Sequence, residues 1–318
     1  MIQIFRNPSY NFIDNRRWAY MLSAVLLVIC LLSLALQGLR YDIDFTGGTL
    51  VQVRFDGVPS VAQIRSALAG VGMGDAVIQE FGDAREFIVR VPLGASSSQE
   101  LGQRVGAALA AAPALGKAEI RRVEFVGPQV GKELQLQAIY AVLVGLAGIL
   151  IYIAVRFDLK GGVAAVCAVF HDVIIVLGAM SLTHREFSLP VLAGVLTIIG
   201  YSVNDTIVAY DRLRENRGKA AMKGRTFSQA MNEAVNQTLS RTVLTALTTF
   251  ISASILLAFG GRTLEDFAFV LVVGVLTGTY STVYIAAALV VDWTQYVEGR
   301  LRARKKGMVK AGEPRKIT

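Results

Sequence analysis

Six long apolar segments constrain this chain more than any other feature of its sequence. A helix needs about 20 mostly apolar residues to cross the hydrocarbon core of a bilayer. Segments of this kind run from Trp18 to Gln37, Leu134 to Val155, Gly161 to Leu182, Leu189 to Tyr210, Thr242 to Gly260 and Phe267 to Val291. Only 18% of the residues are charged, against about 25% in soluble domains. The sequence therefore predicts a polytopic α-helical membrane protein with six transmembrane helices, and it excludes an ordinary soluble enzyme.

The first apolar segment has an alternative interpretation as a secretory signal peptide. Arg16 and Arg17 precede it, and Ser33-Leu34-Ala35 resembles a small-residue cleavage site. The segment is nevertheless long enough to span a bilayer. We therefore predict that residues 18–37 are retained as the first transmembrane helix.

Positive charge in the connecting loops predicts the orientation of the helices. Cytoplasmic loops carry an excess of Lys and Arg. Twenty such residues lie in the segments on one side of the predicted membrane, against two in the opposite short loops. Both termini are therefore predicted to be cytoplasmic, and the polar block faces the periplasm. The predicted division is a cytoplasmic N-terminus at 1–17, the first helix at 18–37, a periplasmic domain at 38–133, helices two to six at 134–291 with a cytoplasmic interfacial segment at 211–241, and a basic cytoplasmic tail at 292–318.

The net charge of +8 follows largely from this loop pattern. The basic run Arg300 to Lys306 is predicted to attract anionic lipid, at about 1 kcal/mol per charge. Binding to nucleic acid through phosphate contacts is the weaker interpretation. We therefore expect membrane lipids among the partners and no nucleic acid.

The polar block between the first two apolar segments alternates between strand and helix periodicity. Strands are predicted at 48–55, 76–81, 87–91 and 120–126, with helices at 59–69 and 97–112. The order βαββαβ is that of an α+β ferredoxin-like domain. This topology carries no chemistry by itself, so the block is predicted to act in recognition or as a lever.

A polar cluster inside the fourth apolar segment is the strongest candidate for function. A charged side chain at the centre of a membrane helix costs on the order of 2.5–3.5 kcal/mol on insertion scales, and such residues commonly mark functional paths. Asp205 lies in the polar stretch Tyr201 to Thr206. Burial disfavours an ionised carboxyl, so Asp205 is predicted to bind and release a proton. The alternative is a structural carboxyl of constant charge that is capped by hydroxyl groups.

Two further sites contain charged or titratable residues within apolar surroundings. Arg241, at the start of the fifth segment, is predicted to be the counter-ion of Asp205, although a snorkelling anchor residue fits equally well. His171 and Asp172 lie near the centre of the third segment. Adjacent helical positions point about 100° apart, so these two side chains are not expected to share one face. Both a proton relay and a buried structural hydrogen bond remain open for them.

The long connection between the fourth and fifth segments also contains a predicted helix. Thr226 and Gln229 have the spacing of a capping box, followed by apolar residues on one face. We predict a separate helix along the cytoplasmic interface.

Motifs of several other chemistries are absent from the sequence. It contains no P-loop, nucleophile elbow or zinc-ligand pattern. The sequence therefore predicts no enzymatic activity, no cofactor and no metal site, with protons as the coupling ion.

Four segments of the chain resemble the SecF branch of the SecD/SecF family, which belongs to the resistance-nodulation-division superfamily of proton-driven transporters. They are GYSVNDTIVAYDRLREN at Gly200 to Asn216, YDIDFTGGT at Tyr41 to Thr49, FHDV at Phe170 to Val173 and SRTVLTALTT at Ser240 to Thr249. The resemblance covers nearly the whole chain, and the first of these segments is highly specific.

The resemblance implies a subunit of the bacterial inner membrane that pairs with SecD and associates with the SecYEG channel. The pair would use the proton gradient to help move a translocating preprotein. The family's intramembrane carboxylate falls on Asp205 and its basic partner on Arg241, and Asn204 falls within the same motif. The external block corresponds to the family's smaller periplasmic domain.

Two other classes of function stay open. One is a proton-driven exporter of small molecules, whose chains commonly carry twelve spans and two larger external domains. The other is a structural assembly factor of the translocase without proton chemistry, for which export would not respond to dissipation of the proton gradient.

Overall fold

The computed structural model describes residues 5, 8–91, 98–217 and 224–311, apart from the side chains of 98, 99, 262 and 301–311. In chain order the elements are α1 (Arg16–Leu36), β1 (Arg40–Tyr41), α2 (Ile43–Thr46), β2 (Gly48–Phe55), α3 (Val61–Ala69), β3 (Val77–Phe81), β4 (Asp83–Val91), α4 (Ser98–Ala110), a 3₁₀ turn (Pro113–Leu115), β5 (Ala118–Val126), α5 (Pro128–Arg156), α6 (Leu159–Leu182), β6 (Glu186–Phe187), α7 (Leu189–Arg217), α8 (Phe227–Phe259), α9 (Arg262–Ser281), a π-helical segment (Thr282–Ala286) and α10 (Ala287–Ala311).

Six helices in the described part of the chain are long and apolar enough to cross a membrane. They are α1, α5, α6, α7, α8 and a last helix that joins α9 through the π-helical segment to α10. Each includes most of one predicted apolar segment, because length and hydropathy are local properties of the chain. The helices extend beyond the apolar segments at several ends, where polar residues continue the hydrogen-bond ladder.

The helix predicted within 211–241 is present, but it is continuous with the fifth apolar segment and not a separate element. The capping box of Thr226 and Gln229 does begin a helix, with both of its hydrogen bonds formed. That helix is α8, which continues without a break to Phe259 and so includes the fifth apolar segment. Nothing in the intervening sequence ends it, since Pro and Gly are absent between Phe227 and Phe259.

The α+β domain contains a four-stranded antiparallel sheet in the order β3-β4-β2-β5. Along the chain its elements follow one another as strand, helix, strand, strand, helix, strand. Val51 and Val53 of β2 face the core with Ile64 and Leu68 of α3 and Val105 of α4. One sheet face is thus buried under two helices, as the periodicity of the sequence indicates.

The two glycines of the stretch YDIDFTGGT join the domain to the helices. Gly47 and Gly48 both have positive φ, of 73° and 145°. A Cβ atom on Gly48 would lie 2.9 Å from the carbonyl oxygen of Val91, so any larger residue there would push β2 away from β4. A Cβ atom on Gly131 of α5 would likewise lie 2.9 Å from the Phe45 carbonyl oxygen.

Close packing also joins α7 to α9. A Cβ atom on Gly274 would overlap the side chain of Ile198, and one on Gly278 would lie 3.2 Å from Cβ of Ser202. Small residues let helix backbones approach one another in a membrane. This contact brings the polar face of α7 against the end of α9.

The segment before α1 lies along the first turns of α8. The amide groups of Asn232 and Asn236 each donate to the Tyr10 carbonyl, at 2.9 and 2.8 Å, and the Tyr10 N–H donates to Asn236 Oδ1 at 2.8 Å. Ile13 is buried in the main core. The N-terminal segment is therefore packed against the bundle.

Candidate functional site

Asp205 lies on α7, in the interior of the bundle, and is 3% exposed. Its Oδ2 atom is buried and has no hydrogen-bond partner among the described residues. Ser202 and Thr206 lie nearby on the same helix, but the hydroxyl group of Ser202 donates to Asp172. Thr206 Oγ1 donates to the Ser202 carbonyl at 3.3 Å and not to the carboxyl group. Asp205 is therefore a buried acid whose charge is not stabilised by direct donors.

Arg241 lies on α8 and is the predicted counter-ion of Asp205. It acts on Asp205 electrostatically, but the two side chains form no ion pair within 4.0 Å. Arg241 is exposed and lines a cavity of about 1200 Å³ together with Ser9, Asp14 and Asn236. Arg241 therefore lines a cavity outside the bundle, and its positive charge still interacts electrostatically with the Asp205 carboxyl group.

Asn204 lies next to Asp205 on α7, but its side chain is exposed on the outer face of the bundle. Thr248 and Ser252 of α8 are exposed as well. α7 and α8 each therefore carry exposed polar side chains within their apolar segments. Asn204 and Asp205 therefore point to different environments.

His171 and Asp172 on α6 contact each other directly, contrary to the expectation that they do not share a face. His171 Nδ1 lies 2.9 Å from Asp172 Oδ1. Both side chains are buried. The angular separation of adjacent positions holds for the Cβ atoms, whereas the longer side chains bend toward one another, so the prediction from helix geometry was wrong.

Residues of three other helices complete this buried network. Ser202 Oγ of α7 and Ser281 Oγ of α9 donate to Asp172 Oδ2, at 2.7 and 2.6 Å. On the other side, Ser23 Oγ of α1 lies 3.1 Å from His171 Nε2. Ser23 and Ser281 do not stand out in the sequence as part of a site. The available signal was a hydroxyl within an apolar segment, but such residues are too frequent to single out.

A second group of charges joins the α+β domain to the helices. Arg90 of β4 pairs with Asp42 Oδ1 at 3.1 Å and with Glu186 of β6. Burial raises the pKa of the Glu186 carboxyl above its usual value, although Arg90 opposes this shift. In the same region Arg185 pairs with Asp266 at 2.6 Å. The sequence analysis missed this junction, because its members come from four separate stretches of the chain.

Two further features concern metal ligands and the basic C-terminal run. Within the described residues, no group of three or more His, Cys, Asp or Glu side chains could hold a metal ion. The basic run Arg300 to Lys306 lies in α10, and its side chains after Arg300 lie outside the described residues. Lipid binding by this run stays a prediction.

Comparison with known families matches two parts of the chain. Residues 106–296 match the family described as Protein export membrane protein SecD/SecF, C-terminal. Residues 32–57 match the SecD/SecF GG motif, which includes the Gly47-Gly48 turn.

Relatives match over most of the length of the chain. Protein translocase subunit SecF of Desulfurispirillum indicum is 45% identical over 296 residues, which cover 92% of this chain and 94% of the relative. Protein translocase subunit SecF of Pseudomonas aeruginosa is 42% identical over 281 residues, which cover 88% of this chain and 90% of the relative.

The solved structures that match are of longer chains. The crystal structure of SecDF, a translocon-associated membrane protein, from Thermus thermophilus is 41% identical, with a TM-score of 0.79 over 91% of this chain and 39% of the other. SecDF in its super-membrane-facing form gives a TM-score of 0.71 at 40% identity, over 94% of this chain and 41% of the other. The chain thus spans about two fifths of the SecDF chains that it matches.

Proposed function

Because the chain belongs to the SecD/SecF family of protein-export membrane proteins, we propose that it is the SecF-type subunit that couples proton movement to polypeptide export across the bacterial inner membrane. Its six apolar helices make it a multi-pass membrane protein. The observation that carries the proposal is the Asp205 carboxyl, which is buried in a membrane helix and whose Oδ2 atom accepts no hydrogen bond from the part of the chain that the structure describes. Such a group gains more from binding a proton than one whose charge is already compensated.

The proton gradient supplies enough energy to change the conformation of a helix pair. One elementary charge that moves through 100 mV releases about 2.3 kcal/mol, which changes the ratio of two states by a factor of roughly 50. Protonation of Asp205 removes its attraction to Arg241. The relative free energies of the two arrangements of α7 and α8 then change, and the helices shift relative to each other.

The cavity beside Arg241 supports a path for the proton between the bundle and the cytoplasm. The cavity that Arg241 lines is bordered by the N-terminal segment, and the loop charges place this end of the bundle in the cytoplasm. Asp205 is not among the residues that line this cavity, so we propose that a proton leaving Asp205 passes Arg241 before it reaches water in the cavity. Both termini are cytoplasmic in this proposal.

A membrane partner with polar helices is supported by the outer face of α7 and α8. Asn204 of α7 and Thr248 and Ser252 of α8 are exposed, and polar side chains are costly when they face lipid. A partner that covers this face with polar groups would remove that cost. We identify it with SecD, since the matching SecDF chains are more than twice the length of this one. SecYEG and the translocating preprotein follow from the family and not from this surface.

The α+β domain serves as the periplasmic lever of the proposed cycle. Its strand order and two covering helices are those of a ferredoxin-like domain. Arg90 joins this domain to Glu186, which immediately precedes α7. A shift of α7 would therefore reach the domain through a short connection.

The proposal is tested by export of a secretory precursor from cells that rely on this subunit, with and without a protonophore. With Asp205→Asn, we expect the rate to fall to that of wild type without a gradient and to become insensitive to the protonophore. Asp211→Asn is the matched control, since Asp211 lies on the same helix but is exposed and paired with Arg156. Unimpaired, gradient-dependent export with Asp205→Asn would remove this carboxyl from the mechanism. Wild-type export that ignores the protonophore would favour the assembly factor instead.

A further inference from the structure

A continuous chain of hydrogen bonds crosses the centre of the bundle and is not used by the proton step proposed above. It runs from the backbone of α1 through Tyr280, Ser23 and His171 to Asp172. Asp172 is only 1% exposed. Every side chain in this chain of contacts has a partner, so the positions of the protons can be deduced by counting donors and acceptors.

The deduction begins at Tyr280. Its hydroxyl donates to the Ala19 carbonyl oxygen at 2.8 Å, and a carbonyl can only accept. The single proton of Tyr280 is thereby used, so the 3.1 Å contact between Ser23 and Tyr280 uses the proton of Ser23. Ser23 Oγ is then an acceptor for His171 Nε2, which lies 3.1 Å away. His171 therefore carries a proton on Nε2.

Asp172 determines whether the other ring nitrogen of His171, Nδ1, carries a proton. Its Oδ2 atom accepts from both Ser202 and Ser281, and its Oδ1 atom faces His171 Nδ1 at 2.9 Å. Two serine donors directed at one carboxyl group favour its ionised form, and an ionised Oδ1 atom can only accept a hydrogen bond from the ring nitrogen that faces it. His171 then carries a proton on Nδ1 as well.

We infer that His171 and Asp172 form a buried imidazolium–carboxylate pair, and that this pair positions the face of α7 that carries Asp205. The pair has no net charge, which is the condition for keeping two charges in a membrane interior. Its role is distinct from that of Asp205, because all of its hydrogen-bonding atoms are occupied. The positioning part of this inference rests on the proposed function of Asp205.

The connection to Asp205 passes through Ser202. Ser202 lies three residues before Asp205, on the same face of α7, and its side chain donates to Asp172. Its carbonyl accepts from Thr282 Oγ1 at 3.3 Å, and Thr282 begins the π-helical segment that follows Ser281. The pair on α6 thus holds α7 and the end of α9 at the level of Asp205.

The protonation state can be measured in the full-length chain in lipid by solid-state NMR of ¹⁵N-labelled histidine. The chain contains only two histidines, and His184→Gln leaves His171 as the sole source of signal. At neutral pH we expect both ring nitrogens of His171 to be protonated. A ring with one bare nitrogen would overturn the pair, and this measurement needs no change to the network itself.

A variant at Asp172 gives a second test of the protonation state of His171. Asp172→Asn removes the negative charge while keeping the size of the side chain. We expect His171 to lose one ring proton in this variant, because a lone imidazolium is then uncompensated. If both nitrogens stay protonated, the carboxylate does not hold the charge of the ring and the inference is wrong.

The positioning role is tested by two serine variants that delete a donor to the same carboxylate oxygen. Ser202→Ala cuts the link to α7, and Ser281→Ala, its matched control, cuts the link to α9. We expect Ser202→Ala to slow gradient-dependent export on the order of tenfold, the scale of one hydrogen bond to a charged group, and Ser281→Ala to slow it less. Both should keep the doubly protonated His171 signal. Equal effects, or none, would overturn positioning through α7 and leave the Asp205→Asn result as an independent test of the proposed function.

Discussion

Asp172 and Asp205 are both buried carboxyl groups in one helix bundle, yet their surroundings are opposite. Asp172 accepts hydrogen bonds from two serines and contacts a histidine. Asp205 has a buried oxygen without any partner. A compensated charge stabilises one arrangement of helices, whereas an uncompensated one changes state at lower cost. The comparison teaches that burial alone does not identify the group that exchanges protons, since the donors around each group decide it.

The largest expected effect is on the stability of the compensated site. Asp172→Ala leaves His171 and two serine donors without an acceptor. Loss of one member of a buried charge pair costs about 3–5 kcal/mol, so the midpoint of thermal unfolding in lipid nanodiscs should fall strongly. Asp211→Ala, at an exposed ion pair, is the control and should change little. Equal unfolding midpoints for the two variants would mean that Asp172 is not a stabilising, compensated charge, and the contrast with Asp205 would fail.

A smaller loss is expected at the far end of the network. Tyr280→Phe removes a hydroxyl that donates to the Ala19 carbonyl and contacts Ser23, with little change in packing. A neutral hydrogen bond contributes about 0.5–1.5 kcal/mol, so the midpoint should fall less than with Asp172→Ala. Tyr140→Phe, at an exposed tyrosine, is the matched control. A loss as large as that of Asp172→Ala would mean that the neutral end of the network carries as much stability as its charged centre.

Glu186, at the junction with the α+β domain, is intermediate between Asp172 and Asp205, because its charge is only partly compensated. Burial and the nearby Asp42 and Asp266 carboxylates raise its pKa above the ordinary 4.5, and Arg90 offsets this only in part. A carboxyl with a raised pKa contributes stability that is present below its ordinary value and is lost as the pH rises through the folded value.

The side chain in Glu186→Gln resembles the protonated carboxyl group. The variant should therefore not lose stability as the pH rises, as wild type does when Glu186 ionises. We expect a slightly higher unfolding midpoint at neutral pH and a weaker dependence on pH above about 4.5. Glu119→Gln, at an exposed residue of β5, is the control for thermal scans over the same pH range. A lower midpoint at neutral pH would mean that the pair with Arg90 outweighs the cost of burial.

The smallest expected change in stability is at the site proposed to be functionally essential. Asp205→Asn removes no hydrogen bond from the buried Oδ2 atom and relieves the cost of a buried charge. Its unfolding midpoint should equal or exceed that of wild type, even where export is lost. A fall comparable to that of Asp172→Ala would show that Asp205 has a structural role, and the contrast between the two sites would disappear.

Part of this site could be predicted from the sequence. Asp205, Arg241, His171 and Asp172 stand out because each is a polar or charged residue within or beside a long apolar segment. Their assignment required only hydropathy and the cost of charge in lipid. The start of α8 at Thr226 is likewise evident from the capping box, and its continuation to Phe259 agrees with the absence of Pro and Gly from that stretch.

The sequence by itself determined the number of long apolar helices, the alternation of strands and helices in the domain, and the residues that are expensive in a membrane. These are local properties, which depend on residues within a few turns of each other. The tertiary structure decided which acid is compensated. His171 meets Ser23 across 148 positions of the chain, and Asp172 meets Ser281 across 109. Hydrogen bonds between residues so far apart depend on how the helices pack, and the periodicity of one helix does not contain that information.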